Sequence, residues 1–129
     1  MARRALGYPT ELELEILKIL WRDGANAVRH VRDELATQGR ELAYTSVMTT
    51  MNIMTEKGYL KRTRRKAGYV YKPSITHQST ASTMLRDVVN RVFDGSAGAA
   101  MLHLVESGDI DESELAALRA LLKDRGDKS

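Results

Sequence analysis

Residues 57–73, KGYLKRTRRKAGYVYKP, hold seven basic residues and no acidic one. Two strand-compatible runs, 59–64 and 69–72, flank Lys66-Ala67-Gly68, which has the composition of a turn. A hairpin with a basic tip is expected here, ended by Pro73. What precedes it restricts the fold further, because three segments in a row carry helical spacing.

The first segment is TELELEILKILWRDG. Thr10 followed by Glu13 fits a capping box, in which each side chain satisfies a free N–H at the helix start. Leu12, Ile16, Ile19 and Leu20 recur at helical spacing, with Leu17 and Trp21 beside them. Gly24 is the expected stop. The second segment is NAVRHVRDELATQG. Asn26 is the expected cap, Val28, Val31 and Leu35 the buried stripe, and Gly39 the end. The short RELAY that follows is expected as a small strand. The third segment, AYTSVMTTMNIMTEKGYL, places Val47, Met51 and Met54 within one narrow arc at about 100° per residue. Thr45, Thr49 and Asn52 lie opposite, flanked by Ser46, Met48 and Ile53.

Threonine and serine crowd a helix or compete with its backbone, at a cost of a few tenths of a kcal/mol each. On a solvated face they are unremarkable. On a helix entering a DNA groove they have a use: hydroxyls bond phosphates or base edges, and a threonine methyl touches a thymine methyl. Helix, helix, helix and two-stranded hairpin is the order of a winged helix, whose third helix (residues 44–57) lies in the major groove. Thr45, Ser46, Met48, Thr49 and Asn52 are the expected base and groove residues. Met48 falls between core edge and groove. Lys61, Arg62, Arg64, Arg65 and Lys66, on the wing at 59–72, are expected to meet phosphates, which gives affinity and orientation rather than sequence choice.

The charge divides along the chain. Up to residue 73 there are 14 Lys and Arg against 8 Asp and Glu, and from 74 onward 6 against 9. A basic N-terminal part and a mildly acidic C-terminal part suggest two jobs. The expected division is a DNA-binding domain at 1–73 and a helical dimerisation region at 74–129. The latter holds STASTMLRDVVNRVF, GSAGAAMLHLVESG and DESELAALRALLKDRG, with Asp111 and Glu114 spaced for a second capping box. Its stripes run through Leu85, Val88, Val89 and Val92, and through Leu115, Leu118, Leu121 and Leu122. Three short helices spanning about 50 residues are near the lower limit for an independent core. A second copy is the expected cover, with Leu85, Val88, Val92, Leu115, Leu118 and Leu122 in the interface. The fold class is therefore mostly α (α+β): an N-terminal winged helix-turn-helix followed by a C-terminal helical dimerisation region.

TELELEILKILW, AYTSVMTTMNIMTEKGYLKR, AGYVYKP and SGDIDESELAALRALL together resemble the penicillinase-repressor family of bacterial transcriptional repressors, which includes the methicillin-resistance repressors. The resemblance covers nearly the whole chain. It implies a homodimer that binds a palindromic double-stranded DNA operator and blocks transcription. It places Thr45, Ser46, Met48 and Thr49 where the family's recognition helix contacts bases. Met48 stands where a charged residue is common in the best-known members. The resemblance further implies a membrane-bound sensor protease that triggers cleavage in the C-terminal region. The corresponding position is His103-Leu104, where members known for this cleavage carry Asn-Phe. A copper-responsive branch senses metal through cysteines, and this chain has no cysteine.

Other chemistry is not expected. His30, His77 and His103 are scattered, and no metal site or cofactor is expected on them. Glu11, Glu13 and Glu15 suit the start of a helix, where negative charge complements the dipole. No phosphate loop or activated nucleophile is visible, so an enzyme is not expected. No run approaches the roughly 20 apolar residues of a membrane span, which argues against direct membrane insertion. MARRALGYP has no apolar run behind its basic residues, so no signal peptide is expected, and the cytoplasm is the simplest location. One alternative stays open: a winged-helix protein-interaction module without specific DNA binding.

Overall fold

The computed structural model describes residues 7–128. Residues 1–6, with the basic Arg3 and Arg4, and Ser129 lie outside the described residues. The chain divides into two compact units, Met1–Leu85 and Arg86–Ser129.

The first unit is a winged helix. α1 (Glu11–Asp23) starts on the expected capping box. The Glu13 amide donates to Thr10 Oγ1 at 3.3 Å, and the Thr10 amide to Glu13 Oε1 at 2.9 Å. It stops at Gly24, whose φ of +82° lies in the region that favours glycine. α2 (Val28–Thr37) differs from expectation at its start: Ala27 is the N-cap and makes no side-chain cap bond. Asn26 is instead drawn out into an extended bridge with Tyr71. Its amide donates to the Tyr71 carbonyl at 3.1 Å and its carbonyl accepts from the Tyr71 amide at 2.9 Å. That bridge also corrects the reading of RELAY. Residues 40–43 form no strand, and the hairpin's extra backbone partner comes from Asn26.

α3 (Tyr44–Glu56) buries Val47, Met51 and Met54 completely, as the arc predicts. β1 (Leu60–Arg65) pairs antiparallel with β2 (Gly68–Pro73), from Leu60 opposite Pro73 to Arg65 opposite Gly68. Lys66 and Ala67 make the turn. The core joins Ile16, Leu17, Ile19 and Leu20 of α1 to Val28, Val31 and Leu35 of α2 and to the α3 stripe, with Tyr59, Leu60 and Tyr71 closing it from the wing. Each fully buried Leu, Ile or Met contributes about 1.5–3 kcal/mol.

α4 (His77–Val92) crosses the division between the units. Its beginning is packed on the winged unit. Trp21 Nε1 donates to the Ile75 carbonyl at 2.9 Å, and the Trp21 ring meets His77 edge-on at 5.3 Å. Thr80 is buried there and donates to the Thr76 carbonyl.

The second unit holds the end of α4, α5 (Ala97–Glu106) and α6 (Glu112–Lys128). Ser96 caps α5 by accepting from the Ala99 amide at 3.0 Å. Asp111 and Glu114 form the expected reciprocal box before α6, at 3.0 and 2.8 Å. Among the described residues of this unit no side chain is buried. Val92 is 67% exposed and Leu102 63%. No helix among the described residues is long and apolar enough to cross a membrane.

Candidate nucleic-acid interface

α3 sorts its hydroxyls into two sets. Thr50 Oγ1 donates to the Ser46 carbonyl and Thr55 Oγ1 to the Met51 carbonyl, both at 2.9 Å. Those two are consumed by their own helix. Thr45, Ser46 and Thr49 are exposed, and their hydroxyls have no partner among the described residues. The structure thus brings together three of the expected groove residues as free donors and acceptors on one helix surface. Met48 is half-buried and packs against the core, which leaves only part of its side chain for a ligand.

Asn52 is placed differently from its neighbours. Its Oδ1 accepts from the Tyr71 hydroxyl at 2.7 Å and from Arg62 Nη1 at 3.2 Å. It faces the wing as much as the groove.

Four of the five wing cations divide between the two faces of the hairpin, because side chains alternate along a strand. Arg62 and Arg64 share a face with Leu60, Tyr69 and Tyr71. Both guanidinium groups approach the Tyr69 ring, at 4.5 and 5.6 Å from its centroid, within the range of a cation–π contact. Lys61 and Arg65 lie on the other face, and Lys66 is in the turn. Lys61, Arg65 and Lys66 are exposed and have no partner among the described residues.

One cation of the basic run is not available to a ligand. Lys57 Nζ lies 2.8 Å from Glu13 Oε2, and the side chains are 13% and 4% exposed. Glu13 therefore caps α1 and anchors the end of α3 at once. Sequence spacing marks Glu13 only as a helix-start acid. Its partner 44 residues away is a product of the tertiary packing. Next to this pair the Tyr59 hydroxyl is buried without a hydrogen-bond partner. Burial, and then the Glu13 charge, push its phenol above the ordinary value.

His30, on which no metal site is expected, has two carboxylate neighbours in the fold. Asp23, His30 and Glu34 bring one ligand atom each within 4.8 Å of one another. Glu34 is four residues after His30, a spacing that places both on one helix face. The cluster is already hydrogen-bonded from within. Arg22 donates to Asp23 and to Glu34, and His30 Nε2 lies 2.8 Å from Asp23 Oδ2. Hydrogen bonds from Arg22 and then His30 hold the Asp23 carboxyl well below the usual carboxylate range. This is a surface ion network rather than an open ligand set. His103 lies on α5 with its ring 5.8 Å from that of Phe93, and Leu104 beside it is 44% exposed.

Comparison with known proteins adds the following. The penicillinase repressor family matches residues 9–124. The "Transcriptional regulator BlaI" of Mycobacterium tuberculosis is 32% identical over 114 residues, covering 87% of this chain and 80% of that protein. The "Penicillinase repressor" of Bacillus licheniformis is 22% identical over 115 residues, covering 89% of each. A solved structure of a MarR mutant from E. coli covers 90% of this chain and 76% of its own, at 17% identity and a TM-score of 0.49.

Proposed function

The chain belongs to the penicillinase-repressor family of transcriptional repressors, and on that premise we propose that it represses by reading a palindromic operator as a homodimer. Its α3 enters the major groove, and its wing lies along the flanking phosphates. The observation that carries this reading is a pair of exposed, unsatisfied surfaces, one on α3 and one on the wing. Thr45, Ser46 and Thr49 present hydroxyls without internal partners, and Lys61, Arg65 and Lys66 present charges without internal partners. Helix-turn-helix dimers place two such surfaces one DNA turn apart, about 34–36 Å. Residues 1–73 supply the reading head in this proposal, and residues 74–129 the dimer contacts through Leu85, Val88, Val92, Leu115, Leu118 and Leu122. Repression is relieved by cleavage at His103-Leu104. That bond lies inside α5, so local opening of an exposed helix has to precede the cut. Mass spectrometry of the chain from cells in which the regulated gene has been derepressed checks this step: an intact chain excludes it.

Binding to the DNA upstream of the protein's own gene, against a scrambled duplex of equal length at two salt concentrations, tests the reading. Neutralised phosphates release counterions, so affinity falls steeply as salt rises. Binding to neither duplex at either salt concentration favours a winged-helix docking module instead.

Two substitutions separate the parts of the interface. Arg64→Ala with Arg65→Ala removes charge from both faces of the wing. Affinity is expected to fall similarly on both duplexes, and the log–log salt slope to flatten by about 1 to 2. Unchanged affinity would remove the wing from the interface. Thr49→Ala is expected to cost about 1 kcal/mol on the preferred duplex and little on the scrambled one. Equal losses on both would make Thr49 a backbone contact.

A further inference from the structure

Asn52 stands on the groove side of α3, where an asparagine suggests adenine recognition. Its bonding points elsewhere. A bidentate contact to adenine uses the amide oxygen and the amide nitrogen together. Here Oδ1 already accepts two hydrogen bonds, from the Tyr71 hydroxyl at 2.7 Å and from Arg62 Nη1 at 3.2 Å. Arg62 has only donors, so it fixes the amide with its oxygen toward the wing.

The two donors differ in what they can do. Tyr71 is 2% exposed, and its backbone amide and carbonyl are both bonded to Asn26. It has no route to a ligand. Arg62 is exposed, sits opposite Tyr71 in the hairpin register, and lies 4.5 Å from the Tyr69 ring centroid. No carboxylate contacts it among the described residues. Asn52 and Tyr69 thus hold a guanidinium whose charge is unspent. A long cationic side chain normally loses rotamer freedom when it binds, and one already ordered loses less.

We propose that Asn52 is a positioning residue rather than a base reader. Resting on the DNA-binding reading above, it locks Arg62 between α3 and the wing to meet a DNA phosphate, and the buried Tyr71 hydroxyl sets the lock. Sequence preference then resides in Thr45, Ser46 and Thr49, while Asn52 governs affinity on any duplex.

Asn52→Ala, Arg62→Ala, the double variant and Tyr71→Phe are measured on the upstream duplex and on the scrambled one, with thermal unfolding of each protein recorded. Asn52→Ala is expected to weaken both duplexes equally, by about three- to tenfold, the worth of one such hydrogen bond. In the Arg62→Ala background the same change is expected to cost nothing further. Tyr71→Phe is expected to weaken both duplexes in the same direction, although its ring stays buried. A loss confined to the upstream duplex that persists without Arg62 would make Asn52 a base reader and overturn the proposal. Wild-type affinity in both Asn52→Ala and Tyr71→Phe would reduce the cluster to a structural contact and overturn it too. A wild-type chain that binds neither duplex would remove the DNA-binding reading, and this one with it.

Discussion

Lys57→Met is expected to destabilise the winged unit by about 3–5 kcal/mol, the usual cost of leaving one member of a buried ion pair without its partner. The Glu13 carboxylate is almost wholly enclosed, with Oε1 accepting from the Thr10 amide and Oε2 from Lys57. Methionine matches the length of the lysine stem and keeps its apolar packing. What is lost is the ammonium, and at 4% exposure the Glu13 side chain is poorly placed to take up solvent in its stead. A domain of this size holds only about 5–15 kcal/mol in total, so the variant forfeits a large share. Urea denaturation of the single variants and of Glu13→Gln with Lys57→Met checks the origin of the loss. Glutamine can still accept from Thr10 and carries no charge, so the double variant is expected to recover most of the stability lost in Lys57→Met. Replacing a whole buried pair by neutral groups is often close to neutral, whereas breaking it is not. The competing expectation comes from the sequence, where Lys57 opens a run of seven cations and resembles a phosphate contact. Wild-type unfolding combined with weaker DNA binding would restore Lys57 to the interface.

The same contrast explains how much of the molecule could be read from the chain. Local signals carried over. The Thr10–Glu13 and Asp111–Glu114 boxes, the stop at Gly24 and the Val47, Met51, Met54 stripe depend on residues within a few positions of one another, and the structure contains all of them. The hairpin was legible because a turn and two alternating runs lie side by side. Features set by distant partners were not. Asn26 has the chemistry of a cap, yet its backbone amide and carbonyl are both taken by Tyr71, which lies far away in sequence. Glu13 looks like any first-turn acid until α3 brings Lys57 to it. Asn52 looks like a groove residue until the wing folds over it. The four hydroxyl residues at the start of α3 look alike in sequence. Only the structure separates Thr50, turned back on its own helix, from Thr45, Ser46 and Thr49. In each case the residue type was informative about capability and silent about commitment.

Under the homodimer proposed above, Leu118→Asp with Leu122→Asp is expected to leave the protein monomeric and to weaken operator binding by about 100- to 10,000-fold, the range lost when two linked binding events become independent. The case rests on what unit two lacks. Its described side chains include no buried residue, and Leu122 is 54% exposed, Leu102 63% and Val92 67%. Helices this short do not hold together well without a covered apolar face, and soluble monomers seldom leave large apolar patches open. A second copy is the cover that a symmetric contact supplies most economically, because each exposed stripe meets its own equivalent. That symmetry also magnifies the substitution: two aspartates per chain place four carboxylates in one interface. An unpaired carboxylate is costly to desolvate, and the sequence from residue 74 onward already carries 9 acidic against 6 basic residues. Leu122 is open in the single chain, so Leu122→Asp alone leaves the fold of the protomer little changed and separates loss of assembly from loss of folding. Sedimentation equilibrium gives the oligomeric state and circular dichroism the helix content. Monomers with native helicity and weakened operator binding place the interface on α6. A dimer that persists in the double variant moves it to another face, and full operator affinity in a monomer would end the requirement for two reading heads.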